Sequence, residues 1–135
     1  MLHLSIPVRA IEPTLDFYVK LLGCQATRVQ DDRIDIDFFG HHLVAQLSEI
    51  ESAHQSVSIG SPSYPLRHFG VIVKQDIYDT LLDRLTRAQA DFAMQPCRIF
   101  VGTPREQSVF LVFDPSGNAL EIKGLAEPEK VFTSQ

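Results

Sequence analysis

The order of predicted elements repeats once along the chain, and this repeat restricts the fold more than any other feature. Each half begins with a strand-like segment headed by histidine, HLSIPV from His3 and HFGVIV from His68. A helix pattern follows at nearly the same distance in both halves, and strand patterns follow each helix. We therefore predict an α+β fold of two paired β-α-β-β-β modules, whose curled mixed sheets surround one cleft.

The module boundaries are predicted from segments that lack hydrophobic periodicity. A stretch rich in serine, with Pro62 and Pro65 and no periodicity, separates the two halves and is typical of a linker. A last segment without a clear pattern follows the final strand. The predicted divisions are a first module at 1–48, a linker at 49–66, a second module at 67–124 and a C-terminal tail at 125–135.

Within the modules, hydrophobic spacing predicts which faces are buried. Alternation over 33–39 places Ile34, Ile36 and Phe38 on one face of a strand. The first helix should end before Gly23, and Asp76 is the predicted N-cap of the second. The predicted helical stripes are Leu15, Tyr18, Val19 and Leu22 in the first helix, and Ile77, Leu81, Leu82, Leu85 and Ala88 in the second.

Charge and composition exclude several classes of partner. The chain has 135 residues and a formal net charge of -5, which argues against binding to nucleic acid. No apolar run has the length of a membrane span, and the N-terminus lacks the pattern of a signal peptide. We therefore expect a cytoplasmic protein whose partner is a small molecule.

Three side chains share a position type that suits metal binding. His3 lies on the less apolar face of the first strand, and His68 takes the corresponding place in the second half. Glu121 lies between Leu120 and Ile122, which should face the core, so its carboxylate should point the other way. Two imidazoles and one carboxylate leave coordination positions open for water, substrate or O2. The sequence thus predicts one divalent ion, with Fe(II) favoured and Zn, Ni or Mn as alternatives.

Several segments resemble the vicinal oxygen chelate superfamily, which includes glyoxalases, bleomycin-resistance proteins and extradiol dioxygenases. The most specific segments are FYVKLLG, in the first helix, and FLVFDPSGNALEIKG, at the end of the second module. DFFGHHLVAQL and RIFVGTPREQSVFLVFDPSGNALE are similar to small predicted dioxygenases of the extradiol type. The resemblance implies paired β-α-β-β-β modules and metal ligands at His3, His68 and Glu121.

Two departures from the superfamily pattern affect the expected chemistry. Ring-cleaving members usually have a histidine and a tyrosine upstream of the last ligand, whereas residues 69–120 contain no histidine and only Tyr78. Glyoxalase-type members usually add a carboxylate from the last strand of the first module, where this chain has Gln46. His42 is the best remaining imidazole for acid-base chemistry. His42 and Gln46 are thus the candidate catalytic residues, and Ser5, Arg98 and Arg105 are candidates for binding substrate.

These features leave more than one function open. The expected function is a metal-dependent enzyme that chelates neighbouring oxygens of a small substrate, in the manner of an extradiol dioxygenase. The alternatives are a glyoxalase-like lyase or isomerase that uses Zn, Ni or Mn, and a binding protein of the antibiotic-resistance type without turnover. A homodimer is expected, because half-open sheets leave edges and apolar surface to cover.

Overall fold

The computed structural model describes residues 1–49, 56–57 and 63–134. The chain divides into two compact units. Unit 1 comprises Met1–Ala53 and Asp114–Asn118, and unit 2 comprises His54–Phe113 and Ala119–Gln135. None of the helices in the described part of the chain is long and apolar enough to cross a membrane.

The sheet of unit 1 has the order β1-β4-β3-β2, with β1 parallel to β4 and the other neighbours antiparallel. Its strands are β1 (His3–Val8), β2 (Gln25–Val29), β3 (Arg33–Phe38) and β4 (His41–Leu47). The predicted alternation of β3 is confirmed, because Ile34, Ile36 and Phe38 are all buried. The side chains of β1 and β4 that share this face are also buried, namely Ile6, Val8, Leu43 and Ala45.

The helix of unit 1 changes its winding halfway along. It begins as an α-helix, α1 (Ile11–Leu15), and continues as a π-helix over Asp16–Leu21. The chain leaves it through Gly23, whose φ of 76° is readily adopted only by glycine. Tyr18 and Leu22 are buried as predicted, but the other buried positions are Thr14 and Phe17. Leu15 and Val19, the other two residues of the predicted stripe, are only half-buried. The wider π turn changes the angular spacing of the residues from Asp16 onward, including Val19.

The Asp-Pro-Ser-Gly segment, residues 114–117, forms a turn that belongs to unit 1. The backbone N–H of Gly117 donates to the carbonyl of Asp114 at 3.0 Å. The buried Asp114 carboxylate accepts hydrogen bonds from the backbone N–H groups of Ser116 and Asn118 and from the Tyr18 hydroxyl at 2.9 Å. The Asn118 amide also donates to the carbonyl of Pro7. Hydrogen bonds thus connect the turn to both the first strand and the first helix.

Removal of the Tyr18 hydroxyl should destabilise unit 1 measurably. Tyr18→Phe takes a donor from a buried carboxylate, so we expect the free energy of unfolding to fall by about 1–3 kcal/mol. Urea denaturation followed by circular dichroism measures this change. Tyr78→Phe is the matched control, since Tyr78 is also buried but its hydroxyl has no hydrogen bond within the described residues. Equal unfolding free energies for the two variants would contradict the prediction.

Unit 2 repeats the strand order of unit 1, with β7-β10-β9-β8 and β7 parallel to β10. Its elements are β7 (Phe69–Lys74), α2 (Gln75–Arg87), β8 (Phe92–Ile99), β9 (Gln107–Phe113) and β10 (Ala119–Leu125). The helix buries Tyr78, Leu81 and Leu85, and the Tyr78 ring lies 5.1 Å from that of Phe110. The same element order in both units confirms the predicted pair of β-α-β-β-β modules and the α+β class.

The start of α2 differs from the prediction. Lys74 occupies the N-cap and Asp76 lies within the first turn, so the predicted cap at Asp76 is wrong. Ile77, predicted to be buried, is 43 % exposed, whereas Tyr78 is buried. The apolar spacing did not separate these neighbours because both fit a wide helical stripe.

The predicted linker and tail both contain some regular structure. Two short strands, β5 (Ser56–Val57) and β6 (Tyr64–Pro65), pair with each other in the linker. The remainder of that stretch, 50–55 and 58–62, lies outside the described residues. The tail contains a 3-10 helix at Pro128–Phe132 that contacts β10 and β7.

Candidate metal and substrate site

His68 and Glu121 meet at one end of the unit 2 sheet. His68 directly precedes β7, and Glu121 lies in β10, which pairs with β7. Leu120 and Ile122 are fully buried, so the carboxylate between them points to the opposite face, as predicted. The Nε2 atom of His68 lies 2.8 Å from Oε2 of Glu121.

The second ring nitrogen of His68 determines which nitrogen carries the proton. Nδ1 lies 2.9 Å from the backbone carbonyl oxygen of Pro65, which can only accept a hydrogen bond. Nδ1 therefore carries the proton, and the neutral ring presents the lone pair of Nε2 to the Glu121 carboxylate. Two acceptors at this distance need a cation between them, supplied either by a second proton on the ring or by a metal ion.

The donor set fits a divalent metal ion. Imidazole nitrogen and carboxylate oxygen are ligands for Fe, Zn, Ni and Mn, and bonds of about 2.0–2.2 Å place adjacent ligand atoms about 3 Å apart. The separation of 2.8 Å between His68 and Glu121 agrees with this span. The hydrogen bond to Pro65 is the kind of outer contact that orients a ligating imidazole. Lys123 Nζ lies 3.8 Å from the other Glu121 oxygen and would be a competing cation there.

Gly70 allows β7 to approach β10 closely beside Glu121. An added Cβ atom at Gly70 would lie 1.7 Å from the backbone oxygen of Glu121, far inside van der Waals contact. Gly70 is also the register partner of Glu121 in the parallel pair. Only glycine thus keeps the strands at this spacing, which fixes the position of the carboxylate relative to His68.

A cavity of about 560 Å³ lies on the same face of unit 2 and is lined by both His68 and Glu121. This volume suits a small organic molecule. Its other polar lining residues include Lys123, Arg105 and Gln107. The apolar part of the wall is formed by Tyr64, Met94, Ile99, Val109, Leu111 and Val131.

The two candidate substrate-binding arginines differ in their partners. Arg98 donates a hydrogen bond to the Glu106 carboxylate, which offsets its charge. The Arg105 guanidinium lies 4.6 Å from the centre of the Phe100 ring, and within the described residues no carboxylate pairs with it. Two atoms in the same part of the chain, Arg105 Nε and Gln107 Oε1, are buried and have no hydrogen-bond partner among the described residues. Arg105 is thus the better placed of the two arginines to bind an anionic group.

The remaining candidate residues share one face of the unit 1 sheet. His3 pairs in register with His42, and Ser5 with Val44. Gln46, two residues further along β4, points to the same side as His42 and is exposed. The structure therefore brings His3, Ser5, His42 and Gln46 onto a common surface of unit 1.

Asp35 of β3 is a buried residue beside His42, and it was not among the predicted site residues. Its side chain is only 7 % exposed and contacts Arg33 Nη2 at 2.8 Å, Arg28 Nη2 at 3.1 Å and His42 Nε2 at 3.5 Å. Hydrogen bonding from Arg33, with help from Arg28, holds the pKa of Asp35 below its usual value against the effect of burial. The alternation of β3 places Asp35 on its polar face, but two of its three partners, Arg28 and His42, come from the neighbouring strands β2 and β4.

In residues 1–49, 56–57 and 63–134, no three histidine, cysteine, aspartate or glutamate side chains are grouped so that they could hold a metal ion. The pair in unit 2 supplies His68 and Glu121, while His3 lies in unit 1. The complete ligand set of His3, His68 and Glu121 stays a prediction.

The repeated βαβββ units, together with a histidine–carboxylate pair beside a cavity, define a class of small-molecule-binding proteins built from paired modules. The chain belongs to the glyoxalase/bleomycin resistance protein/dioxygenase superfamily, whose sequence model matches residues 1–122. No curated protein matches the chain.

Solved structures support the same assignment. A glyoxalase/bleomycin resistance protein/dioxygenase from Alicyclobacillus acidocaldarius is 34 % identical, with a TM-score of 0.77 and coverage of 98 % of this chain and 96 % of that one. The fosfomycin resistance protein FosX from Listeria monocytogenes is similar at 11 % identity, TM-score 0.74 and coverage of 96 % and 95 %. Oxidase ChaP-H2 is 19 % identical, with a TM-score of 0.66 and coverage of 91 % of both chains. The last two likenesses concern the fold alone.

Proposed function

We propose that this protein is a metal-dependent enzyme that chelates two neighbouring oxygens of a small substrate, with His3, His68 and Glu121 as the metal ligands. The observation that carries the proposal is the arrangement of His68, whose Nδ1 is hydrogen-bonded to the Pro65 carbonyl while Nε2 faces Glu121 at 2.8 Å. This arrangement suits a cation held between a neutral imidazole and a carboxylate. A plain imidazolium–carboxylate ion pair is the competing explanation, and metal binding separates the two.

The reaction we favour is dioxygenase-like, with Fe(II) as the metal. A bound divalent ion would supply positive charge that stabilises substrate oxygens as they become anionic. Oxidase ChaP-H2 shares the fold, which agrees with oxidative chemistry in this architecture. The chain's own contribution is to orient His68 through Pro65 and to hold Glu121 in place through the close approach at Gly70.

The unit 2 cavity is the proposed substrate site. Its apolar wall would pack against an aromatic or aliphatic body, while Arg105 would pair with an anionic substituent or with a developing enolate. Arg98 would contribute less, since Glu106 already neutralises it. Ser5 is proposed as a further polar contact from unit 1.

His42 and Gln46 are the proposed acid-base and orienting groups. His42 has a suitable side chain for proton transfer near neutral pH, whereas the Gln46 amide can only orient a substrate by hydrogen bonding. The lack of a base at position 46 disfavours the glyoxalase-like lyase or isomerase, which we retain as the second enzymatic candidate with Zn, Ni or Mn. We further propose that the protein is a cytoplasmic homodimer.

The third candidate is a binding protein without turnover. FosX, which shares the fold, is a fosfomycin resistance protein. A cavity with an apolar wall and two arginines, Arg98 and Arg105, would also suit the capture of an anionic drug. The histidine–glutamate pair favours the metal-dependent enzyme, because capture of such a drug without turnover does not need it.

Loading the metal-free protein with different ions tests the proposed reaction. Protein loaded anaerobically with Fe(II) should consume O2 and open the ring of at least one member of a panel of catechols, followed with an oxygen electrode and ultraviolet absorbance. The His68→Ala variant, treated identically, is the control for iron in solution. Turnover of a glutathione hemithioacetal by the Ni- or Zn-loaded protein would instead establish the lyase. Binding of a panel compound without turnover under any metal would favour the third candidate.

A further inference from the structure

A chain of contacts in unit 1 runs from a buried carboxylate to an exposed imidazole. Asp35 Oδ2 lies 3.5 Å from Nε2 of His42, and Nδ1 of His42 lies 2.9 Å from Nδ1 of His3. The rings of His3 and His42 are stacked, with centroids 4.8 Å apart and an angle of 29° between their planes. The three residues come from β3, β4 and β1, which are adjacent in the sheet.

The charge on Asp35 determines which ring nitrogens of His42 and His3 carry protons. Arg33 and Arg28 keep the carboxylate ionised, and its side chain is almost completely buried. A lone pair of His42 Nε2 facing this carboxylate would be repelled, so Nε2 of His42 should carry the proton. The contact at 3.5 Å is long for a hydrogen bond, but at that distance a carboxylate still favours an N–H over a lone pair facing it.

In the neutral form of His42 that carries its proton on Nε2, the lone pair is on Nδ1. That lone pair faces Nδ1 of His3 at 2.9 Å, a hydrogen-bond distance that requires one of the two nitrogens to be a donor. Nδ1 of His3 is therefore the donor. The lone pair of His3 is then left on Nε2, the nitrogen at the far side of the ring.

We propose that Asp35 and His42 are positioning residues that hold His3 with its proton on Nδ1, leaving Nε2 free to donate to a divalent metal ion. This role rests on the proposed function, in which His3 is a ligand, and it replaces the acid-base role proposed above for His42, since both ring nitrogens of His42 are engaged. In unit 2 the proton of His68 is also held on Nδ1, but there the acceptor is the carbonyl oxygen of Pro65. Both histidines therefore present Nε2, and in each case an outer contact sets the ring orientation.

Nuclear magnetic resonance of the metal-free protein tests the proton arrangement directly. With 15N-labelled histidine at about pH 8, where imidazoles of ordinary pKa are neutral, His3 should show a protonated Nδ1 and an unprotonated Nε2. His42→Phe keeps a ring against His3 but removes the acceptor, so a population of His3 protonated on Nε2 should appear. His42→Asn retains a carbonyl oxygen near the place of Nδ1 and should restore the wild-type signals. His3 protonated on Nε2 in the wild type would overturn the proposal.

Metal titration provides the second readout. The affinity for Zn²⁺ or Ni²⁺ should fall by about 10–100-fold in His42→Phe and recover in His42→Asn, as expected for a residue that orients a ligand. Asp35→Asn should show a smaller fall, with circular dichroism confirming that it folds. Equal affinities of wild type and His42→Phe would overturn the proposal. If the wild type binds no metal while His3 shows the expected tautomer, the proton arrangement stands and the proposed metal function fails.

Discussion

Purified wild-type protein is expected to bind about one divalent metal ion per chain, and His68→Ala should lower that affinity by at least about 100-fold. The loss should be this large because His68 supplies one of the two adjacent donors in the described part of unit 2, and its removal leaves Glu121 without its partner at 2.8 Å. Glu121→Gln should have a comparable effect, since an amide lacks the charge that offsets a divalent ion. Isothermal titration calorimetry and elemental analysis of protein prepared without a chelating tag measure both quantities.

Two exposed residues provide matched controls for the metal measurement. His41→Gln removes an imidazole from β4, and Glu129→Gln removes a carboxylate from the 3-10 helix. Both variants should bind metal as the wild type does, because neither side chain is a proposed ligand. Wild-type affinity in His68→Ala would show that the contact with Glu121 is an ordinary ion pair. Failure of the wild type to bind Fe, Mn, Ni or Zn would remove the basis of the proposed enzyme.

Gly70→Ala is expected to lower the free energy of unfolding by about 3 kcal/mol or more. The added methyl group would lie 1.7 Å from the backbone oxygen of Glu121, and neither strand can yield without breaking the β7–β10 pairing. The damage should extend to function, since His68 and Glu121 flank this contact. Urea denaturation measures the stability, and metal titration of the folded fraction measures the effect on the site.

Gly102→Ala separates the effect of a clash from the general effect of losing a glycine. Gly102 lies in the loop between β8 and β9 with no atom within 4 Å of the added Cβ. Its φ of 78° is unfavourable for alanine, so this variant should cost about 1 kcal/mol and leave metal binding intact. If Gly70→Ala is no more destabilised than Gly102→Ala, the strands have more freedom to separate than the structure indicates.

Much of the fold was determined by local patterns in the sequence. Alternation within a strand depends only on the period of two residues, so it predicted that Ile34, Ile36 and Phe38 are buried. The same rule predicted that Glu121 points away from the side of Leu120 and Ile122. The helices were less well predicted, because the π turn after α1 changes the period on which the predicted stripe depended.

The contacts that give the candidate site its chemistry were decided by the tertiary structure alone. His3 and His42 are 39 positions apart and meet only because β1 lies beside β4 in the sheet. Asp35 has the same local pattern as any polar strand residue, and its contacts with Arg28 and His42 depend on strand order and register. The sequence by itself thus determined the repeat, the faces of the strands and the candidate ligands. Which nitrogen of each histidine is free depends on hydrogen-bond partners that folding brings from other segments. Hydrophobic periodicity, which reports only local structure, does not predict these partners.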